Sequence, residues 1–190
     1  MIDIEKTAIK DVIIITPKRF GDSRGFFSEV WNAQNFAKAG ITDAFVQDNH
    51  AFSSEKGTLR GLHYQTDPHA QGKLVRVTRG AVLDVAVDIR VGSPTFGLHV
   101  AVELSSENWR QLWVPKGFAH GYVTLTENVE FLYKVSGRYS PENEAGIIWN
   151  DPDLGINWGL SEEEVHLSDK DKILPKFKDQ DKLFQYGGDK

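Results

Sequence analysis

The sequence contains no cysteine. That excludes a disulfide framework, a thiolate nucleophile and a Cys-ligated zinc site, and it fits a reducing cytoplasm. Long apolar runs are missing too. The longest is Val12-Ile13-Ile14-Ile15, far short of the ~20 apolar residues that a membrane-spanning helix needs. The first residues, MIDIEKTAIKD, carry acids early and no apolar stretch, so they do not read as a signal peptide. Positive charge is not in excess: 22 Lys and Arg stand against 27 Asp and Glu, a formal net charge of −5. Such a chain lacks the basic face of a general nucleic-acid binder, although a local basic pocket for a small phosphorylated ligand stays open to it. Internal repeats, low-complexity blocks and linkers are absent, and helix signals are few.

What is present fits one domain spanning residues 1–190. Hydrophobic residues make up 40% and charged residues 26% of the chain, ordinary values for a protein with a core. Short runs of Val, Ile, Tyr, Phe and Thr recur between Gly, Pro, Asn, Asp and Ser. They predict strands over 12–16, 26–31, 44–48, 58–65, 73–79, 81–89, 97–104, 110–114, 120–125 and 129–136. Within 81–89, Ala81, Leu83, Val85, Val87 and Ile89 share one face, while Asp84 and Asp88 face the other way. Val129, Phe131, Tyr133 and Val135 likewise share a face. Many short strands with turn punctuation predict an all-β sandwich or barrel. Two short helices are expected, one over 32–39 stopped by Gly40 and one opened by Ser161 with Glu164 three residues on. The polar stretch over 176–190 is expected to pack loosely or fray.

The densest polar cluster is TLRGLHYQ over 58–65. Strict alternation puts Arg60 and His63 on opposite faces, but Gly61 between them marks a potential bulge that returns both to one cavity. Alone, His63 reads as an ordinary histidine and Arg60 as a solvated edge charge. Lys73, Asp84, His120 and Tyr133 on neighbouring strands make a polar-lined barrel the better account, and a barrel mouth is a recurrent ligand site. A metal site built on His63, His69 and His120, as in a metal-dependent dioxygenase, is the competing reading. It lacks the tight His-x-His pair of metal-binding cupins.

Five segments in order carry a resemblance: FGDSRGFFSEVW at 20–31, FVQDNHAFSSEKGTLRGLHYQ at 45–65, QGKLVRVTRGAVLDVAVDIR at 71–90, WVPKGFAHGYVTL at 113–125 and LSDKD at 167–171. Together they resemble the dTDP-4-dehydrorhamnose 3,5-epimerase family. The resemblance implies a cupin-type jelly roll, a cytoplasmic homodimer and no metal or organic cofactor. It implies inversion of C3 and C5 of dTDP-4-dehydro-6-deoxy-glucose to give dTDP-4-dehydro-rhamnose, in dTDP-L-rhamnose biosynthesis. Some relatives invert one of the two carbons and keep the same His and Tyr types.

By that resemblance His63 is the base, Asp171 orients it, Tyr133 is the acid on the opposite face and Lys73 lies near the C4 oxygen. Arg24, Glu29, Gln47, Asn49, Arg60, His120, Tyr139, Glu144 and Lys170 hold positions similar to the family's nucleotide-sugar contacts, with Tyr139 stacking on the thymine. The chemistry agrees. C3 and C5 both flank the C4 ketone, so loss of either proton gives an enolate whose charge collects on one oxygen. A cation there stabilises the transition state more than the substrate. Inversion needs removal on one face and delivery on the other, so one base alone does not suffice.

Overall fold

Strand alternation organises the chain, which the computed structural model describes over residues 2–187. It begins with β1 (Ile2–Lys6), β2 (Ile13–Pro17), β3 (Phe20–Asp22), β4 (Gly25–Phe27) and a short helix α1 (Ala33–Ala37). The main run follows: β5 (Gln47–Ser53), β6 (Leu59–Gln65), β7 (Lys73–Arg79), β8 (Ala81–Asp88), β9 (Arg90–Val91), β10 (His99–Ser105), β11 (Gln111–Val114), β12 (Phe118–Thr124) and β13 (Val129–Val135). The last elements are β14 (Glu144–Gly146), α2 (Asp169–Lys172) and β15 (Phe184–Gln185).

Two antiparallel sheets face each other as a jelly roll. One has six strands in the order β1-β2-β11-β7-β13-β5, the other five in the order β10-β8-β12-β6-β14. Inner-face side chains interdigitate between them: Ile14, Val75, Val77, Val129 and Phe131 from the first sheet, Val82, Ala86, Val100, Val102 and Phe118 from the second. Each sheet also has a covered outer face. Trp149, Leu154 and Trp158 lie over Val85, Val87 and Ile89 of the five-stranded sheet. Phe36 and Ile41 pack on Ile15, Leu74 and Trp113 of the other. The odd face of β8 is therefore buried as expected, but so is the face carrying Asp84 and Asp88, which are both fully buried.

Most expected strands match within a residue or two, and the departures have physical reasons. The strand expected over 26–31 reduces to β4, because Asn32 leaves the ladder to cap α1 through its side chain on the amides of Gln34 and Asn35. The strand expected over 44–48 is displaced to β5, where polar Gln47 and Asn49 alternate with exposed neighbours. β1 falls outside the strands expected from the sequence; it is a mostly exposed edge strand that, among the described residues, pairs only with β2. Ser161 and Glu164 close the expected capping box around a 3-10 turn at Glu162–Glu164.

The polar C-terminal stretch does not pack loosely over the residues described; Gly188, Asp189 and Lys190 lie outside them. The Phe177 amide donates to the buried Asp151 carboxylate at 2.7 Å, and its ring lies 5.1 Å from that of Phe96. β15 adds to β9 in parallel, and the Arg90 guanidinium stacks over Tyr186 at 5.1 Å. Scattered aromatic anchors hold a segment whose average composition is polar.

Gly61 meets its expectation. Three residue steps on β6, Arg60 to His63, span two on β12, Tyr122 to His120, so β6 carries an extra residue. Leu59 and Leu62 point to the outer layer while Arg60 and His63 both reach the interior. Gly61 has φ +137°, and a Cβ there would lie 2.5 Å from the Gly121 Cα and 3.0 Å from the His120 carbonyl oxygen. Only two glycines allow this approach. Gly61→Ala is therefore expected to cost about 2–4 kcal/mol in urea unfolding. A variant as stable as the parent would show that the two strands separate freely.

Candidate active site

The polar end of the barrel opens into a cavity of about 510 Å³. A second cavity of about 340 Å³ adjoins it, and the two share His63, Lys73 and Tyr133. The shared residues come from both sheets: His63 from β6 of the five-stranded sheet, Lys73 and Tyr133 from β7 and β13 of the six-stranded one. A ligand spanning both cavities passes between an imidazole and a phenol that face each other across the barrel.

His63 is held from outside the barrel. Its Nε2 lies 2.6 Å from Asp171 Oδ1. Asp171 is 3% exposed and sits in α2, where its amide donates to the Ser168 hydroxyl that caps the helix. Burial works to raise the Asp171 carboxyl, but hydrogen bonds and the neighbouring His63 outweigh it and hold the group below the usual carboxylate range. Asp171 is thus an ionised acceptor. In the neutral imidazole the Nε2 facing this acceptor is the one that carries the proton, which leaves the Nδ1 lone pair free.

A second imidazole–carboxylate pair lies deeper. His120 Nε2 is 2.9 and 3.0 Å from the two carboxylate oxygens of Asp84. Burial pushes Asp84 up from its ordinary value, opposed by His120 and Lys73. The Lys73 side chain is partly accessible but its ammonium is desolvated. Burial brings it from 10.5 down to about 8, against the pull of Asp84 and Glu144. Its Nζ lies 3.5 Å from the His63 carbonyl oxygen. Burial also raises the Tyr133 phenol, with Arg60 opposing, so Tyr133 keeps its proton at neutral pH.

Of the residues singled out from the sequence, Arg60, His63, Lys73, His120, Tyr133, Lys170 and Asp171 line the larger cavity. Gln47, Asn49, Tyr139 and Glu144 line the smaller one. Gln47 donates to Asn49 at 2.8 Å, Tyr139 donates to Glu144 at 2.9 Å, and Lys170 pairs with Glu144. Arg24 and Glu29 are not brought to these cavities. Arg24 is exposed on the β3–β4 hairpin and paired with Asp22, and Glu29 accepts from the side chains of Asn32 and Asn35. The three histidines of the metal reading do not converge: His69 lies in the turn after β6, outside both cavity linings.

Sequence reasoning missed Tyr122, His166 and Ser168, which also line the larger cavity. Ser168 had a usable signal, since Ser-x-x-Asp is a helix-start pattern. His166 had none: it arrives through a bridge to Thr58.

The site offers a base with an oriented tautomer, a protonated acid from the opposite sheet and a buried cation in the same lining. That set suits proton removal and return at a carbon beside a carbonyl.

Comparison with known proteins agrees. The sequence model of the family described as dTDP-4-dehydrorhamnose 3,5-epimerase matches residues 6–179. The chain is 56% identical over 176 residues to the dTDP-4-dehydrorhamnose 3,5-epimerase of Salmonella typhimurium strain LT2, covering 92% of this chain and 95% of that protein. It is similar to the crystal structure of dTDP-6-deoxy-D-glucose-3,5-epimerase from Legionella pneumophila Philadelphia 1 in complex with dTDP-4-keto-L-rhamnose. The TM-score is 0.94 at 50% identity, over 98% of this chain and 99% of that one. A 3'-monoepimerase from Streptomyces bikiniensis in complex with dTDP-quinovose is less similar, with TM-score 0.83 at 33% identity, over 92% of this chain and 87% of that one. The shared architecture is the cupin-type jelly roll. The chain belongs to the dTDP-4-dehydrorhamnose 3,5-epimerase family.

Proposed function

We propose that the chain inverts C3 and C5 of dTDP-4-dehydro-6-deoxy-glucose to give dTDP-4-dehydro-rhamnose, a step of dTDP-L-rhamnose biosynthesis. The observation that carries this reading is His63 on one sheet, held by Asp171 of α2, facing Tyr133 on the other, with Lys73 in the lining that both cavities share. His63 Nδ1 takes a proton from carbon. The C–H electron pair moves into the ring, and the negative charge settles on the C4 oxygen, where Lys73 stabilises it. Tyr133 then returns a proton from the opposite face, its phenolate is reprotonated from solvent, and the His63 imidazolium releases its proton to solvent before the second carbon reacts. The sequence runs once at each carbon. Nothing is oxidised, and the proton transfers to and from carbon are assigned to side chains of the chain itself.

The remaining polar groups fit the nucleotide. Arg60 and Lys170 supply charge for the diphosphate, and His120 contacts the substrate from the deep wall. Tyr139 is 57% exposed, so its ring has a face free for the thymine. Glu144, Gln47 and Asn49 stand beside it. Arg24 and Glu29 enter as partners in a homodimer, reaching the cavity of a second copy. The exposed rings of Phe20, Phe26 and Phe27 on the same hairpin support that reading, since such a cluster is costly in water. We read residues 1–190 as one catalytic domain, supported by a family match that runs over most of the chain. Among the described residues no helix is long and apolar enough to cross a membrane. We place the enzyme in the cytoplasm with the nucleotide-sugar pool.

In heavy water the enzyme is expected to place deuterium at both C3 and C5 of the 4-keto sugar; label at one carbon alone would make it a mono-epimerase. His63→Ala should lower exchange at both carbons by about 10³-fold, and Asp171→Asn by about 10²-fold. Full exchange by His63→Ala would remove the base from the scheme.

The lowered Lys73 value sets a pH limit. The folded enzyme holds this proton only up to about pH 8, whereas a solvated lysine holds it to 10.5. The charge is complete below that limit and lost above it, so kcat/KM is expected to fall as pH rises through about 8. A profile flat to pH 9.5 would contradict a catalytic Lys73 charge. Light scattering at micromolar protein should give the mass of two chains, and Arg24→Ala should weaken dTDP binding at least about tenfold. A monomer that binds dTDP normally would remove Arg24 and Glu29 from the site.

A further inference from the structure

An arginine that serves the cavity of a second copy must be aimed by its own chain. Arg24 sits at the tip of the β3–β4 hairpin, whose two strands form a sheet of their own. Among the described residues no ladder joins that hairpin to either main sheet. An isolated two-stranded hairpin is marginally stable in water, so side chains must fix its direction. The tip is stiffened from within, because the Asp22 carboxylate accepts from both the amide and the guanidinium of Arg24.

The base of the hairpin is clasped by Trp109, in the turn between β10 and β11. The rings of Trp109 and Phe26 pack nearly perpendicular, with centroids 5.0 Å apart. The Arg19 guanidinium lies over the Trp109 ring at 5.0 Å and over the Phe26 ring at 5.9 Å. The Trp109 indole donates to Ser28 Oγ at 3.4 Å, and Arg19 donates to the Glu107 carbonyl of the same turn at 3.5 Å. Arg19 stands just before β3 and Ser28 just after β4, so both strands are gripped where they leave the body. Trp109 holds this place at φ +61°, left-handed backbone that is rare for a bulky residue. The Asn108 side chain imposes the turn, accepting from the amides of Ser105 and Arg110 and donating to the Glu103 carbonyl. Trp109 packs in none of the buried core clusters, and neither it nor Arg19 lines a cavity of its own site. The strained tryptophan therefore acts on the hairpin. We infer that Trp109, with Arg19, is a positioning residue that aims Arg24 into the partner's cavity, and so serves the site of the other copy. This rests on the shared-site reading above. Holding a binding arginine in place lowers the ordering needed when nucleotide arrives, so the effect falls on KM more than on kcat.

The experiment uses mixed dimers, made by co-expressing two differently tagged chains and purifying on both tags. Exchange at C5 is read as kcat/KM. Trp109→Ala alone is expected to stay dimeric and to lose about tenfold, mostly in KM. Paired with a His63→Ala chain, the Trp109→Ala chain keeps its base and receives a correctly aimed Arg24, so the dimer should regain about half the wild-type value. Paired with an Arg24→Ala chain it should stay about tenfold low, because neither chain offers an aimed arginine. Arg19→Ala opens the same clasp from the hairpin side and should repeat both results. The reverse pattern, recovery with Arg24→Ala and none with His63→Ala, would put the effect of Trp109 in its own site and overturn the inference. Wild-type kcat/KM in both Trp109→Ala and Arg19→Ala would also overturn it. So would a monomeric Trp109→Ala protein, since the clasp would then hold the interface instead of aiming the arginine. Arg24→Ala/His63→Ala dimers that recover nothing would overturn the shared-site reading itself, and are thereby told apart from failure of the clasp.

Discussion

The bond between His63 and Asp171 joins residues 108 positions apart, and the site depends on it. The imidazole belongs to the barrel. The carboxylate belongs to a layer that wraps the barrel's outer face. For the two to meet at 2.6 Å, the chain after β14 must lie against the five-stranded sheet with little freedom. Several contacts enforce that course. Trp149, Leu154 and Trp158 bury their side chains on the sheet, and the Trp158 indole donates to the Trp149 carbonyl at 2.9 Å. The His166 amide donates to the Gly57 carbonyl and the His166 carbonyl accepts from Leu59, stitching the layer to the start of β6. The tautomer of one histidine is thus fixed by the packing of a whole face of the molecule.

Inside the barrel, apolar and polar side chains stand side by side. Val102 lies opposite Asp84 and Val114 opposite Lys73 in the strand ladders, and these valines pack with Val100 and Leu112 in the core that supplies most of the stabilisation. Burial is costly for the charges of Lys73 and Asp84. The charges there offset one another: Asp84 faces both His120 and Lys73, and Glu144 faces Lys170. A cation such as Lys73, desolvated and only partly compensated, is primed to interact with charge that develops on a substrate. The close-packed apolar neighbours supply the rigidity that keeps this arrangement from relaxing.

The sequence revealed the fold to the extent that local patterns follow the tertiary structure. β8 and β13 alternate cleanly because each has a face in the core, and Gly61 announced its bulge because glycine in a polar strand has few other uses. β5 was misplaced for the opposite reason. Gln47 and Asn49 point inward because they face the cavity, so the strand carries polar residues where a core strand would carry valine. α2 is four residues long, too short for any periodicity, and only its Ser168 cap betrays it. The cavity residues came mainly from resemblance, since Tyr139, Glu144 and Lys170 carry no local mark that separates them from surface polar residues. Tyr122 escaped both routes, as a half-apolar residue in a buried strand reads simply as core.

The late position of Asp171 bears on how the protein is made. A ribosome delivers every strand of the two main sheets before it delivers α2. Until the stretch from Ile147 to Phe184 emerges, the outer faces of β6, β8 and β12 have lost water on one side only, with Leu62, Val85, Val87 and Val123 still uncovered. The nascent chain therefore passes through a stage in which its stickiest surface is exposed and its base has no orienting carboxylate. The same closing segment shields the sheet and completes the site, so the protein gains solubility and catalytic competence in a single late event of synthesis.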